Sequence, residues 1–397
     1  MGLVGQAIPV TGQTIVQNSY DFAEQQYDTL LHHLPDQSYY PRTINPDSSL
    51  HCTRMNSWTE GFFPGALWFL YRHTDSDYWL EKAQTWTDPL EPLKDMRHHH
   101  DIGFLMYCSF GNGYQITGNK EYRNILIQSA QSLTSRFNEK VGCIESWNQR
   151  ESWDGQMWEY PVIIDNMMNL ELLYFAYKET GDSIFKHVAN SHAEHTARHH
   201  IRDDYSSYHV VNYDEKTGSV LNKQTCQGYS DNSTWARGQA WGIYGFVMAY
   251  RETQRPDFLK VAKNMADFFI EHPNLPEDGI PYWDFNVNQE GYTPDWDYSP
   301  SQFAKVPRDA SAAAITASAF LELSRYVSNG TKYFDFAEKQ LKSLASPKYR
   351  AQPDENNYFL LKHSVGSIPH QTEVDVPLIY ADYYFLEALN RYKKLSR

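Results

Sequence analysis

The chain has 397 residues, 41% hydrophobic and 15% aromatic, with a formal net charge of −14 from 49 Asp and Glu against 35 Lys and Arg. A length of about 150 residues per domain would give two or three domains, although single toroids run this long. The acidic excess argues against a nucleic-acid surface, which needs clustered cations, and no apolar run reaches the ~18 residues of a membrane span.

The opening stretch, MGLVGQAIPVTGQ, lacks a charged segment followed by an apolar one. Either the protein is cytoplasmic or an export signal lies outside this sequence. Residues 19–34 (SYDFAEQQYDTLLHHL) have the spacing of a lone amphipathic helix of outer type. Five helix pairs follow. In each, a helix apolar on nearly all faces ends in a short polar turn, and an amphipathic helix with one wet face begins. The apolar helices are predicted to start at Thr59, Asp101, Asp165, Gly238 and about Ser311. The turns are His73-Thr74-Asp75, Thr117-Gly118-Asn119, Thr180-Gly181-Asp182, Thr253-Gln254-Arg255-Pro256 and Ser328-Asn329-Gly330, rich in helix-stopping residues. Residues 375–393 read as a lone inner helix. Pairing it with the first helix makes six inner and six outer helices. The expected fold is all-α: an (α/α)6 toroid forming one catalytic domain over residues 1–397, with short rim strands at 208–213 and 282–285. An open α-solenoid is the alternative, but its repeats would resemble one another more closely.

Such a ring opens where its inner helices start, so rim residues are the candidates for chemistry. Asp165 follows Val162-Ile163-Ile164 and precedes Met167-Met168. A lone Asp at a helix start is ordinarily a cap. In this apolar setting, desolvation raises the carboxyl pKa and keeps it protonated for general acid work. Asp101, one repeat earlier, is a second rim carboxylate, and two carboxylates on one cavity suit glycoside chemistry. Arg237, between Trp235 and Trp241, is either a clamp for a carboxylate or sulfate or a stacking partner in packing. His209 and Gln227 lie on the loops ahead of it, where ordinary loop hydrogen bonding is the simpler account. Trp147 and Trp153 suit stacking on sugar faces or burial in a core.

Other clusters are discounted. His98, His99 and His100 are consecutive and poorly placed to converge, so no metal is expected. His192, His195 and His199 fall on an outer helix and are predicted to form a solvated face. Gly111-Asn112-Gly113, within an inner run, is read as permitting close packing. Cys52, Cys108, Cys143 and Cys226 are too scattered for a zinc ribbon or a disulfide framework. Neither G-x-G-x-x-G, Walker nor G-x-S-x-G motifs occur.

The blocks WTEGFFPGALWFLY (58–71), HHDIGFLMYCSFGNGY (99–114), YPVIIDNMMNLELLYFA (160–176), YSSYHVVNYD (205–214), QGYSDNSTWARGQAWGIYGF (227–246) and EVDVPLIYADYYFLEAL (373–389) resemble the unsaturated glucuronyl hydrolases, glycoside hydrolase family 88. The likeness spans nearly the whole chain from about residue 50. It implies an (α/α)6 barrel that needs no metal or organic cofactor. It also implies hydration of the 4,5-double bond that polysaccharide lyases leave on a terminal uronic acid. By this resemblance Asp165 is the general acid/base. Asp101 is the second essential carboxylate, holding sugar hydroxyls and stabilising a cationic transition state. His209, Gln227, Arg237 and Trp241 surround the unsaturated ring and its carboxylate, and Trp58 is an aromatic wall. Ser364 and Ser367 match serines of members that favour 6-sulfated chondroitin products, but no Lys follows before Pro369, a departure from those members.

The expected partner is an unsaturated uronyl oligosaccharide of glycosaminoglycan or ulvan type. Neither nucleic acid nor membrane insertion is expected, and the oligomeric state is expected to be a monomer or weak homo-oligomer. Likeness to Bacteroidetes-type members favours the periplasm over the cytoplasm. The alternatives on the same fold are an unsaturated rhamnogalacturonyl hydrolase, an ordinary inverting glycosidase and a non-catalytic sugar-binding toroid. The last would have lost a rim carboxylate.

Overall fold

The computed structural model describes residues 12–55 and 57–396, so most of the stretch read for an export signal lies outside the described residues. The helices are α1 (Gly12–His33), α2 (Phe62–Thr74), α3 (Asp77–Thr87), α4 (Ile102–Met106), α5 (Asn112–Thr117), α6 (Lys120–Thr134), α7 (Leu170–Thr180), α8 (Ser183–His199), α9 (Ala236–Thr253), α10 (Pro256–Glu271), α11 (Ala310–Leu323), α12 (Gly330–Leu344) and α13 (Ile379–Leu395). One inner helix is broken: α4 and α5 are joined by a π turn at Tyr107–Gly111. Another, α7, continues a 3-10 segment at Ile164–Asn169.

Two concentric layers result. The inner ring runs α2, α4–α5, α7, α9, α11 and α13, which closes on α2, while α1 packs on α13 from outside. This is the (α/α)6 toroid. Inner helices are apolar all round because both faces are covered: every residue of α11 and every α9 residue from Ala236 to Ala249 is buried. Each large apolar side chain so buried contributes about 1.5–3 kcal/mol. Boundaries differ slightly from the sequence expectation: α1 begins at Gly12 rather than residue 19, α13 begins at Ile379 rather than residue 375, and Thr59–Gly61 form a turn before α2. No helix among the described residues is long and apolar enough to cross a membrane.

Four of the inner-to-outer turns share one geometry. Asp75, Gly118, Gly181 and Gln254 adopt left-handed φ values of 55°, 67°, 75° and 57°. Their N–H groups donate to the carbonyls of Tyr71, Tyr114, Tyr177 and Tyr250. The preceding residue is Thr each time. Its hydroxyl donates back to the carbonyl four residues earlier (2.9, 2.7, 2.6 and 2.7 Å) and accepts from the N–H two residues on. At each turn one carbonyl of the first helix and one N–H ahead of the second are thereby satisfied.

All longer connections lie at the opposite rim, and they carry the strands. β1 (Tyr40–Ile44) pairs with β2 (Leu50–Thr53), β3 (Phe137–Asn138) with β4 (Cys143–Ile144), and β5 (Arg150–Glu151) with β6 (Met157–Trp158). β7 (Pro161–Ile163), β8 (Val210–Tyr213) and β9 (Val220–Gln224) form an antiparallel three-stranded sheet, and β10 (Ser364–Ser367) pairs with β11 (Thr372–Val376). The stretch 282–285 makes isolated bridges only, Tyr282 with Arg308 and Asp284 with Trp235.

One expectation is corrected. His192 is not on a solvated face: its ring is fully buried, and Nδ1 accepts the Ile144 N–H at 3.0 Å. His195 and His199 are half-buried. The β3–β4 hairpin folds over this side of α8, a cover that helical periodicity cannot reveal. Inner helices approach closely at Gly103, where a Cβ would lie 2.5 Å from the Asn169 Cα. The Phe104 N–H donates to Asn169 Oδ1 at 2.9 Å. This contact sets the start of α4 against the segment that carries Asp165.

Candidate active site

Strand pairing brings the first two candidates together. β7 pairs with β8 so that Ile163 faces Val210, and the Ile164 N–H donates to the His209 carbonyl at 3.0 Å. Asp165 and His209 are thus neighbours, with His209 Nε2 3.7 Å from Asp165 Oδ2. The Cys226 and Gln227 N–H groups both donate to His209 Nδ1, at 3.1 and 3.2 Å. That assigns the ring proton to Nε2, facing Asp165. Burial and the charge of Arg237 hold His209 well below the usual imidazole range, so it is neutral.

Asp165 follows buried Ile164 and stands two residues before buried Met167, with 12% of its own side chain exposed. Burial pushes its pKa up to about 7; the Arg237 charge opposes the rise and the Asp101 charge adds to it. Trp241, fully buried between Phe104 and Tyr384, directs its indole N–H toward this carboxyl without closing a hydrogen bond of standard geometry. Asp101 behaves oppositely. Burial would raise its pKa, but His100, His99 and Arg136 hold it below the usual carboxylate value. His99 Nδ1 lies 3.2 Å from Asp101 Oδ2, and His100 Nε2 lies 3.3 Å from Oδ1. Two neighbouring carboxyls therefore differ in state near neutral pH: one protonated for a large fraction of the time, one ionised.

Arg237 opens α9 and is buried. It stacks on Trp235 at 4.5 Å, pairs with Asp309 at 3.2 Å, and donates to the carbonyls of Val365 and Gly366. Burial alone would lower its pKa, but Tyr380, Asp309 and Asp165 keep it charged. The packing reading of Arg237 on Trp235 holds, and the anion it meets in the structure is the protein's own Asp309 carboxylate. That carboxylate caps α11 by accepting the Ser311 N–H at 3.0 Å.

A cavity of about 210 Å³ opens at the rim between Arg42, Trp58, Trp147, Arg150, Gln227, Arg237, Tyr380 and the segment from Gly366 to Glu373. Asp165, Asp101, His209 and Trp241 do not line it, although Arg237, which does, lies close enough to Asp165 and His209 for its charge to act on both. Trp58 packs on Phe62, Phe104 and Tyr380. Gln227 Nε2 donates to the Gly366 carbonyl at 3.2 Å. Ser367 borders the cavity with its Oγ 2.7 Å from His370 Nδ1. Ser364 does not border it: its hydroxyl is fully buried and meets no hydrogen-bond partner. Trp147 borders the cavity, and half-buried Trp153 packs on His370 just outside it. No group of three or more metal-type ligands converges among the described residues. A second cavity, of about 410 Å³, lies at the other end of the ring. Several of its charges pair with one another: Arg251 meets Glu171, Glu252 and Glu322, and Arg391 meets Glu322 and Glu387.

Sequence reasoning missed His99 and His100 as partners of Asp101, although their adjacency was the available signal. It also missed Asp309, Arg42, Arg150 and Glu373, which come from separate loops.

A helical toroid with an aromatic-walled rim cavity and two carboxyls in opposite protonation states has the architecture of a glycoside hydrolase. The model of Glycosyl Hydrolase Family 88 matches residues 23–395, and the chain belongs to that family. It is 43% identical over 382 residues to an unsaturated glucuronyl hydrolase of Formosa agariphila, covering 96% of this chain and 91% of the relative. It is 32% identical over 363 residues to an unsaturated chondroitin disaccharide hydrolase of Streptococcus pyogenes, covering 89% and 86%. A crystal structure of an unsaturated glucuronyl hydrolase specific for heparin superposes with a TM-score of 0.89 at 43% identity, covering 96% of this chain and 98% of that one.

Proposed function

We propose that this glycoside hydrolase removes a 4,5-unsaturated uronic acid from the non-reducing end of lyase-generated oligosaccharides of glycosaminoglycan or ulvan type. Asp165 gives its proton to C4, and positive charge develops at C5 beside the ring oxygen. Asp165, now a carboxylate, takes a proton from water as the water oxygen bonds to C5. The resulting hemiketal opens by breaking the bond from C5 to the ring oxygen. C1 is left as a hemiacetal that expels the next sugar as an alcohol, so one water is consumed overall. Protonation of carbon is slow, so a poised acid and preorganised charge are the means available.

Asp101 supplies the negative charge that stabilises the cation, Trp58 walls the ring, and Trp241 stands behind the Asp165 carboxyl. The Nε2–H of His209 is a donor for substrate oxygen. The observation that carries this reading is the buried Asp165 carboxyl with a pKa near 7 beside an ionised Asp101. The relatives named for unsaturated glucuronyl and chondroitin disaccharide substrates support the substrate class. The proposed setting is the periplasm.

The test is incubation with unsaturated disaccharides while the ultraviolet absorbance of the double bond is followed. Turnover is expected, falling as pH rises through about 7 where Asp165 loses its proton. Asp165→Asn is expected to lower kcat by at least about a hundredfold with the fold intact. Activity that survives this change would overturn the assignment of the proton donor.

A further inference from the structure

The cavity of about 410 Å³ at the far end of the ring shares no lining residue with the rim cavity, and six basic and four acidic side chains face it. Its glutamates are all engaged. Arg251 meets Glu171, Glu252 and Glu322, Arg391 meets Glu322 and Glu387, and Lys178 also meets Glu252. Arg72, Arg325 and Lys394 are left over. Among the described residues none of the three has a carboxylate within ion-pair distance. They stand at or just past the ends of α2, α11 and α13, which are neighbours in the inner ring. Partial burial and the charges of Arg72 and Arg391 hold Lys394 below the usual lysine range, against the pull of Glu387. Cations are thus crowded at this mouth, in a chain whose net charge is −14.

All six inner helices end here, so each cation also meets the negative end of a dipole. That accounts for the sign of these residues but not for the hollow beneath them. The hollow runs inward between Tyr107, Tyr244, Tyr383 and Tyr384 as far as Gly103 and Phe104, at the start of α4. Its volume falls within the range of small-molecule sites, about 300–1,000 Å³. Asn390, on the wall, has a side-chain amide without a partner among the described residues. Aromatic walls with phenol and amide groups suit a ligand that has apolar faces and hydroxyl edges, as a sugar does. Unpaired cations at the mouth suit an oxyanion at one end of it.

We propose that this cavity is a second ligand site, separate from the rim, that takes an anionic monosaccharide with its oxyanion held by Arg72 and Lys394. The inference does not depend on the reaction proposed above. Titration calorimetry tests it with glucose 6-phosphate, glucuronate, glucose and inorganic phosphate as probes. At least one of the two anionic sugars is expected to bind with a Kd at or below about 1 mM, and whichever binds more tightly identifies the oxyanion as phosphate or carboxylate. Glucose and inorganic phosphate are each expected to bind at least about tenfold more weakly than that sugar. A variant carrying both Arg72→Gln and Lys394→Gln should weaken that binding about tenfold or more, with the thermal midpoint within about 2 °C of the unaltered protein. A variant carrying Arg72→Lys and Lys394→Arg keeps both charges and should keep most of the affinity.

Failure of both anionic sugars to bind would overturn the inference. Binding that is untouched in the charge-free variant would overturn it as well, because the sugar would then sit elsewhere, at the rim. Inorganic phosphate or glucose binding as tightly as the anionic sugar would overturn the ligand class. A loss as large in the charge-keeping variant as in the charge-free one would show that shape, not charge, holds the ligand, and would overturn the role given to the two cations. None of these results bears on turnover at the other end of the ring.

Discussion

Asp165 holds a carboxyl where water solvates it poorly, and that has a thermodynamic cost readable without any substrate. The free carboxyl has a pKa of 3.8, and burial in the folded protein raises it to about 7. The folded state therefore binds a proton that the unfolded state has released between these values. Its stability falls as pH rises through that window. The difference is about 3 units at about 1.4 kcal/mol each, or about 4 kcal/mol once the folded carboxyl is fully ionised. Asp165→Asn removes the titration while keeping the shape. Against the unaltered protein it should be level near pH 4, gain about 1.4 kcal/mol per pH unit, and reach an advantage of about 4 kcal/mol above pH 7. Urea denaturation of both proteins from about pH 4 to about pH 8 measures this. Asp382, also pushed by burial to about 7, is present in both and cancels in the difference. An advantage that does not change with pH would refute the claim that Asp165 is desolvated.

Two further outcomes follow from the geometry. Asp309→Ala leaves the buried Arg237 guanidinium without its carboxylate and should cost about 3–5 kcal/mol in denaturation, with a lower kcat/KM as Arg237 is released. Ser364→Ala removes a buried hydroxyl that neither reaches the cavity nor holds a partner; urea denaturation should show a gain of about 1–3 kcal/mol, and kcat/KM on unsaturated disaccharides, sulfated or not, should be unchanged.

The ring was legible because its helices announce their layer. GFFPGALWFLY and QAWGIYGFVMAY are apolar on every face, and a polar turn with a helix-stopping residue ends each. The 3-10 start before α7 and the π turn inside α4–α5 were not legible, because both answer to packing across the ring rather than to local sequence. The apolar flanks of Asp165 pointed to its desolvation. The low pKa of Asp101 depends on side-chain angles of His99 and His100 that no spacing fixes. The Arg237–Asp309 pair joins residues 72 positions apart, from two hairpins. Ser364 and Ser367 read as a pair in the sequence, yet three residues apart on a strand they point to opposite faces, and only the second borders the cavity.

The two ends of the toroid accept change very differently. At one end the chain reverses at residues 75–76, 118–119, 181–182 and 254–255; at the other it wanders through 88–101, 135–163, 200–235 and 272–309 before re-entering the ring. Doubling the length of one of those excursions adds only about 0.6 kcal/mol of closure entropy, so the mouth can be recut for a new sugar while the frame stays still. A residue inserted at a tight reversal would instead part the Thr hydroxyl from the N–H two residues on, the bond that ties the end of one helix to the start of the next.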